Sequence, residues 1–552
     1  MKYYLTGKQA QLIDKYTQEF LGIPGLLLME KAAAKLADSI ELLLTGTKIL
    51  SVVESGNNGG DAVCAAWMLK ERGYDTYIYE IGGISHKSDS YLAEIEKAKA
   101  CGVGFIDSLN DINEVDIILD GIFGVGLTRN VTGVQAEAVE WINNQEAIKV
   151  SVDIPSGISS DNGKILGTAV RADYTVTFEY IKLGMLFREG REYSGRIICE
   201  SIGLYHPDTV GKLESAIKMV DYDSVDITHI EYEDEDLSYL LPKRKADSNK
   251  GSYGRVLIIA GSRDIYGAVY LAAEAAYRVG AGLVKVVTHI RNRDLLMDKL
   301  PEAMLLTYGE DSLEKGKLSD SFRTSFADAI GWANVILAGP GLGREEESDA
   351  LMNDLGDKIS GDKISGDKYL VLDADALNIL SESGVKSWLD LVRSHIGSEH
   401  IMLTPHMKEM ERLLTGIGKE TGKEYISEIS VSAIKEDRMR VASEFAHDTQ
   451  TILVLKDART VVAHSGGCSP IYINTTGNSG MSKGGSGDVL AGILAGLLAQ
   501  MNDDETTSYV MSCLATFIHG TAGDIAAQNL GEYSMLARDI IDAVPSVLRG
   551  IE

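Results

Sequence analysis

Residues that could do chemistry occur first in a glycine-rich stretch before an apolar helix. The stretch "GNSGMSKGGSGD" (residues 477–488) precedes a predicted helix that begins near Val489. Glycines leave backbone N–H groups open to an anionic oxygen, and a helix N-terminus favours negative charge. Asp488, on the first turn, either caps the helix or accepts a proton from a hydroxyl while the N–H groups stabilise charge on phosphate. The glycines beside Asp488 favour the catalytic interpretation.

The first half of the chain carries a similar stretch, "GNNGGD". It follows a predicted strand that ends near Glu54, and we predict a helix from Asp61 to Arg72. The pattern is not GxGxxG, so it does not match the usual dinucleotide fingerprint. It either binds an anion such as phosphate at the helix N-terminus or forms a tight turn with Asp61 as the N-cap.

Two further strand ends in the first half present carboxylates beside glycines. "LDGIFGVGLTRNVTG" places Asp120 at a strand end before a glycine loop, and "SVDIPSGISSDNG" places Asp153 and Ser156 at the next one. Ligands of open parallel sheets bind beyond the carboxyl ends of the strands. One carboxylate could therefore serve as a general acid or base, and the other, with Asn and Ser oxygens, could coordinate a hard cation.

The elements that position these residues alternate between β-rich runs and helical patterns in both halves. This alternation predicts the α/β class with an open parallel sheet in each half. The predicted strands of the first half are "KILSVVES", "DTYIYEI", "DIILDGIF", "IKVSVDIP" and "YTVTFEY". Those of the second half, separated by helices, are "RVLIIAG", "GLVKVVT", "NVILAGPG", "KYLVLDADA", "IMLTPH", "TILVLKD" and "RTVVAHS". The N-terminal "MKYYLTGKQAQLIDKYT" is predicted to be an amphipathic helix, and a second helix is expected over 134–143.

The length of 552 residues and a change in composition predict two domains. Residues 221–241 carry eight carboxylates and no lysine or arginine, and a strong strand follows. We place the boundary near residue 235, giving domains over 1–225 and 236–552; the alternative is a long surface loop within one domain. The repeat "GDKISGDKISGDK" (residues 356–368) is interpreted as a lengthened surface loop.

Charge and cysteine usage exclude several classes of protein. The formal net charge of −28 disfavours broad contact with nucleic acid or an anionic membrane. A phosphate-bearing ligand must then be bound by helix N-termini, a lysine or a cation. Five cysteines without CxxC spacing indicate free thiols in a reducing compartment. We see no signal peptide and no apolar run long enough to span a bilayer, so we expect a cytoplasmic protein.

The motifs resemble two enzyme families. "GNNGGD", "DGIFGVGLTR" and "VDIPSG" resemble the NAD(P)H-hydrate epimerase family over about residues 1–220. "KGSYGRVLIIAGS", "GPGLG", "DADALN", "LTPH", "LKDART" and "GNSGMSKGGSGDVLAG" resemble the ADP-dependent NAD(P)H-hydrate dehydratase family, in the ribokinase-like superfamily, over about residues 240–552. The resemblance implies two three-layer αβα domains, an N-terminal Rossmann-like domain and a C-terminal ribokinase-like domain.

The resemblance implies a repair chemistry on hydrated NADH and NADPH. The first domain would interconvert the R and S hydrates, with Asp153 as the acid/base at the nicotinamide end. A potassium ion would be bound by Asn58, Asp120 and Ser156. The residues implied to bind the hydrate are Asn57, Asn58, Gly59, Gly60 and Asp61, together with Gly124, Val125, Gly126, Leu127, Thr128, Arg129 and Asn130.

The second domain would dehydrate the S hydrate at the expense of ADP, releasing AMP and phosphate. Asp488 would activate the ring hydroxyl for phosphorylation, and elimination of phosphate would restore the reduced nicotinamide. Mg²⁺ is expected with ADP, and the protein is expected to form a homo-oligomer. The hydrate would contact Ala268, Gly341, His406 and Asp488, and the nucleotide site would comprise Lys456, Asp457, Ala458, Arg459, Thr460 and Gly487.

Three departures from the family pattern bear on these sites. Ala62 replaces a usual glycine, and its methyl group could narrow the phosphate approach. Asp457 replaces a common glycine and adds negative charge near a nucleotide phosphate. Met407 and Lys408 replace the more usual Pro-Gly, so the loop after His406 could run differently.

Alternative interpretations remain for the whole chain and for single residues. The second half could be an ordinary kinase of a vitamin alcohol, because that superfamily shares the "GSGD" helix motif, and the first half could be a ligand-binding module without activity. His406 could serve only to satisfy a loop carbonyl, and Lys456 could be solvated. Asp375 in "DADALN" could only cap a helix.

Overall fold

The chain folds into two compact units. The computed structural model describes residues 1–43, 45–82, 87–206, 228–241, 243–244, 246–314, 316–361, 368–426, 429–466, 470–501 and 507–549. The N-terminal unit is Tyr3–His229, and the C-terminal unit is Met1–Lys2 with Ile230–Glu552. The centre of the predicted repeat (362–367), residues 221–227 of the acidic stretch and Cys468 lie outside the described residues.

The N-terminal unit is built on a seven-stranded parallel sheet in the order β4-β3-β2-β5-β6-β7-β9. The register places Leu50 opposite both Tyr77 and Ile118. A short strand, β1, pairs in parallel with β8. The strands are β1 (Lys2–Leu5), β2 (Lys48–Val53), β3 (Asp75–Glu80), β4 (Gly104–Ile106), β5 (Ile117–Gly121), β6 (Ile148–Val152), β7 (Tyr174–Phe178), β8 (Ile181–Lys182) and β9 (Arg196–Glu200).

Helices cover both faces of this sheet, which confirms the predicted three-layer architecture. Alternate residues of a strand point to opposite faces. Ile49 and Val53 pack with α2, α3 and α4, while Leu50 and Val52 pack with α5. The helices are α1 (Gly7–Glu19), α2 (Gly25–Leu43), α3 (Asn57–Glu71), α4 (Asp89–Ala100), α5 (Val134–Asn143) and α6 (Arg188–Tyr193).

Two local predictions for this unit were wrong at element boundaries. The N-terminal segment is a strand before it becomes a helix, because Thr6 caps α1 through the N–H of Gln9 and the Gln9 side chain bonds back to Thr6. Helix α3 begins at Asn57 rather than near Asp61, since the extended Gly56 is its N-cap.

The C-terminal unit is built on a second sheet. Its parallel part runs β13-β12-β11-β16-β17-β18-β19, and β20, β21 and β10 follow β19. β19 and β20 pair antiparallel, so "TILVLKD" and "RTVVAHS" form a hairpin, contrary to the prediction that a helix separates them. The strands are β10 (His229–Glu231), β11 (Arg255–Ile259), β12 (Leu283–His289), β13 (Met304–Tyr308), β14 (Leu313–Glu314), β15 (Lys317–Leu318), β16 (Val335–Ala338), β17 (Tyr369–Leu372), β18 (Ile401–Leu403), β19 (Ile452–Leu455), β20 (Val461–Ala463) and β21 (Ile471–Ile473).

Helices also flank the second sheet. Leu257 and Ile259 share a buried core with residues 322–330 and 350–359, whereas the apolar helix after "GGSGD" packs against β16 and against residues 267–278. The helices are α7 (Asp234–Leu240), α8 (Gly267–Arg278), α9 (Arg293–Lys299), α10 (Asp320–Trp332), α11 (Glu346–Ile359), α12 (Ala374–Ser383), α13 (Val385–Ile396), α14 (Met407–Thr421), α15 (Val431–Glu436), α16 (Arg438–Thr449), α17 (Ser486–Ala499), α18 (Ser508–Leu530) and α19 (Ala537–Arg549).

One described helix, α18, has the length and apolar composition of a membrane span, contrary to the expectation that no run is long enough. However, 67% of its most apolar window is buried within the protein. A helix that is apolar on all sides is also typical of the core of a large domain.

Candidate active sites

The glycines of "GNNGGD" allow α3 to start against the end of β2. A Cβ at Gly59 would lie 1.7 Å from the carbonyl oxygen of Glu54, so only glycine fits there without a shift of the backbone. Asp61 lies inside α3 and is not its cap, since Gly56 takes that position. The first N–H groups of α3 therefore lack intrahelical acceptors and suit an anion.

A cavity of about 560 Å³ lies next to this helix start, within the N-terminal unit. Its lining includes residues from α1, α3, β8 and the loops after β2, β5 and β6. The predicted binding residues on its walls are Asn57, Asn58, Asp61, Gly124, Val125, Gly126, Leu127, Thr128, Arg129 and Asp153. Gly59, Gly60 and Asn130 are not among the lining residues.

Asp153 follows β6 and contacts a buried lysine. Its backbone has φ of +65°, an uncommon conformation for a residue with a side chain. Thr177 Oγ1 donates to Asp153 Oδ1 at 3.1 Å, and Lys182 Nζ donates to the same oxygen and to Thr177 Oγ1. Lys182 is only 3% exposed. Lys182 was not predicted from the sequence. Its charge within the apolar run "YIKLGMLF" is the feature that could have indicated a buried functional lysine.

Other carboxylates share the cavity with Asp153. Burial raises the pKa of Asp61 well above its usual value, and the charges of Asp153 and Asp14 raise it further. Burial also raises the pKa of Asp14, against the opposing effect of a hydrogen bond from Gln18. The cavity therefore combines a carboxylate paired with Lys182 and two carboxyl groups whose pKa is raised by burial.

Asp120 lies beneath the loop after β5, fully buried. It accepts hydrogen bonds from the N–H and hydroxyl of Ser156, at 2.9 and 2.5 Å, and from Ser151 Oγ at 2.7 Å. Burial raises the pKa of Asp120, and these hydrogen bonds oppose the shift. The structure thus brings the predicted cation ligands Asp120 and Ser156 into direct contact.

Asn58 lies beside the loop after β5. A Cβ at Gly124 would lie 3.3 Å from Asn58 Oδ1, the amide atom that could bind a cation. Among the described residues the buried amide nitrogen of Asn58 has no hydrogen-bond partner, and as a donor it cannot itself bind a cation. Among the described residues no group of three or more His, Cys, Asp or Glu side chains is placed to bind a metal ion. A cation here would therefore depend on amide, hydroxyl and backbone oxygens as well as Asp120, which is a donor set that suits K⁺.

The departure at Ala62 does not narrow the cavity. Ala62 is fully buried and does not line the cavity. A Cβ at Gly121 on β5 would lie 2.5 Å from the Ala62 methyl group, so this methyl packs between α3 and the sheet. The expected obstruction of the phosphate approach is wrong.

In the C-terminal unit, "GGSGD" starts α17. Helix α17 begins at Ser486 after Gly485, whose φ is +96°, and no side chain caps it. Asp488 is therefore not a cap. Burial raises the pKa of Asp488 to about 7, with Asp373 adding to the shift and Lys456 opposing it. A carboxylate with this pKa can accept a proton near neutral pH.

Lys456 lies beside the start of α17 in a buried ion pair. Its Nζ is 2.6 Å from Asp373 Oδ1, which also accepts from Thr404 Oγ1 at 2.7 Å. A Cβ at Gly487 would lie 3.2 Å from Lys456 Nζ. Although burial disfavours the charge, Asp373 and Glu409 hold the pKa of Lys456 above its usual value. The interpretation of Lys456 as a solvated lysine is therefore wrong. Asp373 was not predicted, although it directly follows β17 and ligands of parallel sheets bind beyond the carboxyl ends of strands.

His406 has a structural contact of its own. It is the N-cap of α14, with Nδ1 accepting from the N–H groups of Lys408 and Glu409 at 3.0 and 3.3 Å. Its imidazole ring is half-exposed, with 52% of the side chain open to solvent. Helix α14 begins at Met407, which is buried in the core, so no separate loop follows His406. Burial lowers the pKa of His406.

The extra charge at Asp457 is neutralised within the protein. Arg438 and Lys435 lie 2.9 and 3.3 Å from its carboxylate oxygens. Arg438 also donates to the carbonyl oxygen of Arg459 at 3.3 Å. The predicted nucleotide residues 456–460 thus connect β19 to β20, and the carboxylate of Asp457 is paired with side chains around α15 and α16.

The remaining predicted hydrate contacts, Ala268 and Gly341, lie together. A Cβ at Gly341 would be 2.8 Å from the Ala268 methyl group. Nearby, Asp375 Oδ2 accepts from the N–H of Gly343 at 2.9 Å, so Asp375 holds this loop and is not the cap of α12, a position taken by Asp373. The charge of Asp375 also contributes to the pKa of Asp488, which connects this loop to the start of α17.

Helix α18 fixes the glycine-rich stretch before α17. Asp524 accepts from the N–H of Gly477 and the amide of Asn478, at 2.8 and 2.9 Å. His519 Nε2 lies 3.2 Å from Ser486 Oγ, and burial lowers the pKa of His519 to about 4. The stretch is therefore preorganised by α18, and sequence reasoning assigned no role to either residue.

Two family models match the chain. Residues 256–546 match a family described as NAD(P)H-hydrate dehydratase. Residues 25–184 match a family described as YjeF-related protein N-terminus.

Relatives match over nearly the whole length. A protein of Moorella thermoacetica named bifunctional NAD(P)H-hydrate repair enzyme is 32% identical, with 100% of this chain and 97% of that protein covered. A protein of the same name from Escherichia coli is 31% identical, covering 89% of this chain and 83% of that protein. A solved structure of the ADP/ATP-dependent NAD(P)H-hydrate dehydratase of Bacillus subtilis, crystallised with ATP and Mg²⁺, is 26% identical, with a TM-score of 0.44 and 58% and 98% of the two chains covered.

Proposed function

The chain belongs to the family of bifunctional NAD(P)H-hydrate repair enzymes, and from this premise we infer that it converts hydrated NADH and NADPH back to NADH and NADPH. The N-terminal domain, residues 1–225, interconverts the R and S hydrates. The C-terminal domain, residues 236–552, dehydrates the S hydrate with ADP and releases AMP, phosphate and NAD(P)H. The observation that carries this function is Asp488, on the first turn of α17 after the glycine-rich stretch, where partial burial raises its pKa to about 7.

In the C-terminal site we propose Asp488 as the general base. It accepts the proton of the hydrate hydroxyl as that oxygen attacks the β-phosphoryl group of ADP, and AMP departs. The N–H groups at the start of α17 stabilise the transferring phosphoryl group, and the buried Lys456–Asp373 pair keeps a positive charge beside Gly487. Mg²⁺ bound with the nucleotide would neutralise phosphate charge.

Loss of phosphate then completes the dehydration. Phosphate is a better leaving group than hydroxide. When phosphate leaves and the neighbouring ring carbon loses a proton, the double bond of the reduced nicotinamide is restored. Residues 456–460 and Gly487 bind the nucleotide, and Ala268, Gly341 and His406 contact the hydrate. Each of these assignments follows the sequence motifs of the family.

In the N-terminal site we propose Asp153 as an acid/base beside the nicotinamide ring. The N–H groups of Asn57, Asn58 and Gly59 face the anionic part of the hydrate, and residues 124–130 close over it. Asn58, Asp120 and Ser156 would bind K⁺, which would supply a fixed positive charge at these strand ends. Free cysteines among the described residues fit a cytoplasmic protein, and we expect a homo-oligomer.

The test separates repair from an ordinary kinase. The protein is incubated with hydrated NADH and either ADP or ATP, and the products are separated by chromatography. Repair predicts NADH and free phosphate, and AMP where ADP is supplied. A stable phosphorylated product, or turnover of a vitamin alcohol in place of the hydrate, would favour the kinase alternative and overturn the proposal.

A further inference from the structure

Helix α1 supplies one wall of the N-terminal cavity, although no motif points to it. Ala10, Gln11, Ile13, Asp14 and Gln18 all line the cavity. Asp14 is the acidic member of this set, and Gln18 Nε2 donates to its Oδ2 at 3.0 Å. A carboxylate on this wall reaches the same space as Asp153, which enters from the end of β6. Two carboxylates thus approach one ligand from different elements.

The two carboxylates differ in their partners. Asp153 is paired with Lys182, whereas among the described residues Asp14 makes no ion pair. Burial raises the pKa of Asp14, and the charge of Asp153 raises it further against the Gln18 hydrogen bond. Burial thus shifts Asp14 towards its protonated form, whereas Asp153 has Lys182 as a cationic partner. The titratable groups lining the cavity are Asp14, Glu54, Asp61, Arg129, Asp153, Tyr180 and Lys182.

A second observation supports a ligand in this space. Asn58 is 8% exposed and lines the same cavity, and its side-chain amide nitrogen has no hydrogen-bond partner among the described residues. A buried amide left unpaired costs free energy unless a bound molecule satisfies it. The carboxylates therefore surround a polar binding space rather than a solvated acidic patch.

The chemistry of the substrate requires groups on both faces of the ring. The reduced nicotinamide is an enamine, so water adds at the carbon next to the ring nitrogen. Inverting that carbon needs no C–H cleavage: the hydroxyl leaves as water with help from the nitrogen lone pair, and water returns on the other face. This route uses an acid where the hydroxyl leaves and a base where water enters.

We propose that Asp14 is the second catalytic carboxyl group of the epimerase, opposite Asp153 across the nicotinamide ring; this rests on the proposed function. In one direction the Asp14 carboxyl group donates its proton to the hydroxyl, the C–O bond breaks, and water leaves an iminium ring. A new water attacks the other face and gives its proton to Asp153. In the reverse direction the two carboxyl groups exchange roles, and proton exchange with water resets them.

The main test compares Asp14→Asn with Glu19→Gln in the full-length protein. Glu19 lies on the same helix, outside the cavity lining, and pairs with Lys15. Epimerisation is measured by chromatography from the pure R hydrate without ADP. We expect D14N to lower kcat by about 10²- to 10⁴-fold with little change in KM, and E19Q to match wild type. Dehydration of the S hydrate by D14N should be unchanged.

The outcomes separate this proposal from the proposed function. No epimerisation by the wild-type protein would defeat the proposed function itself. Wild-type epimerisation that persists in D14N would overturn only the role of Asp14. If D14N also loses thermal stability, Asp14→Glu is the second variant, because it keeps a carboxyl group. A kcat of at least about a tenth of the wild-type value in D14E supports a chemical role, and absence of activity in D14E contradicts it.

Two further readouts would not follow from a merely structural role. The rate of epimerisation by the wild-type protein should fall as pH rises through the raised pKa of Asp14, because the acid must hold its proton. In D14N this fall of the rate with pH should be absent. In H₂¹⁸O each inversion should introduce one ¹⁸O atom into the hydrate. Inversion without ¹⁸O would show that the C–O bond stays intact and would overturn the assignment.

Discussion

At the residue scale, a lysine forms an ion pair with an aspartate in each candidate site. Lys182 donates to Asp153 in the N-terminal unit, and Lys456 lies 2.6 Å from Asp373 next to Asp488 in the C-terminal unit. Both lysines are largely buried, so their charges act through a medium that screens weakly. The charge of each lysine therefore acts strongly on the aspartates beside it.

The pH dependence of dehydration follows from Asp488. Because burial raises the pKa of Asp488 to about 7, a base at this position is active only where it is ionised. With S hydrate and ADP, kcat should rise as pH increases through about 7 and level off above it. Asp488→Asn should lower kcat by about 10²- to 10⁴-fold and remove this rise. A wild-type rate that falls over the same range would assign Asp488 as an acid instead.

The pairing of Lys182 with Asp153 gives a second prediction. Lys182→Met should lower kcat for epimerisation, because it removes the cationic partner of Asp153 and leaves this carboxylate without its ion pair. The kcat is measured with the R hydrate by chromatography. Lys164→Met, at an exposed lysine of the same unit, serves as the control. A kcat for K182M equal to that of the wild-type protein would contradict the role of the pair.

Sequence reasoning found the carboxylates but not their partners. The predicted carboxylates lie at the end of a strand or in the first turn of a helix, and the local sequence pattern is enough to predict such a position. They are Asp120, Asp153 and Asp488. Lys182 and Asp373 reach their partners only through the order of strands in the sheets, 29 residues from Asp153 and 83 residues from Lys456. Alternation of strands and helices predicts a parallel sheet but does not fix which strand ends meet.

At the scale of elements, the start of α3 against β2 explains the glycines of the first motif. Gly59→Ala should destabilise the N-terminal unit by about 1–3 kcal/mol, since a Cβ there would lie 1.7 Å from the Glu54 carbonyl oxygen. Gly82→Ala, where a Cβ meets nothing within 4 Å, is the matched control. Thermal unfolding with epimerase and dehydratase assays measures both variants. Equal stability of the two would contradict the packing argument.

The hairpin of β19 and β20 carries the proposed nucleotide residues and depends on Arg438. Arg438→Met leaves Asp457 with the more exposed Lys435 as its partner, so this variant should lower stability by less than the about 3–5 kcal/mol of a fully buried pair and should raise the KM for ADP. Arg440→Met is the control on the same helix, because Arg440 is 44% exposed and its ion pairs with Asp437 and Glu444 are open to solvent. Urea unfolding and ADP kinetics measure both. Asp457→Gly added to R438M should recover most of the loss, and no recovery would contradict the pairing.

The elements themselves were mostly predictable. The strands of both sheets follow apolar β-rich runs, because burial on both faces leaves a strong signal. The wrong predictions concern element boundaries and connections that a single cap or turn determines. Thr6 separates β1 from α1, Gly56 starts α3 before Asp61, and a turn rather than a helix joins β19 to β20. Such features depend on one or two residues, so periodicity does not reveal them.

At the scale of the whole molecule, we assign the two proposed activities to separate units, with Asp153 serving one site and Asp488 the other. Asp153→Asn and Asp488→Asn should each abolish one activity and leave the other intact. A mixture of the two variants should then recover NADH from both hydrates, because the S hydrate formed by one protein can diffuse to the other. Absorbance of reduced nicotinamide measures the recovery. A mixture that recovers only the S fraction, with each single activity present, would contradict independent sites.

The central claim, sequential epimerisation and ADP-dependent dehydration in one chain, is tested most directly by the extent of recovery. The wild-type protein is incubated with a mixture of R and S NADH hydrate, K⁺, Mg²⁺ and ADP, and reduced nicotinamide is followed to completion. The account predicts full recovery by the wild-type protein, recovery of the S fraction alone over the same time by Asp153→Asn, and none by Asp488→Asn. Wild-type recovery that stops at the S fraction, or full recovery by D488N, would contradict it.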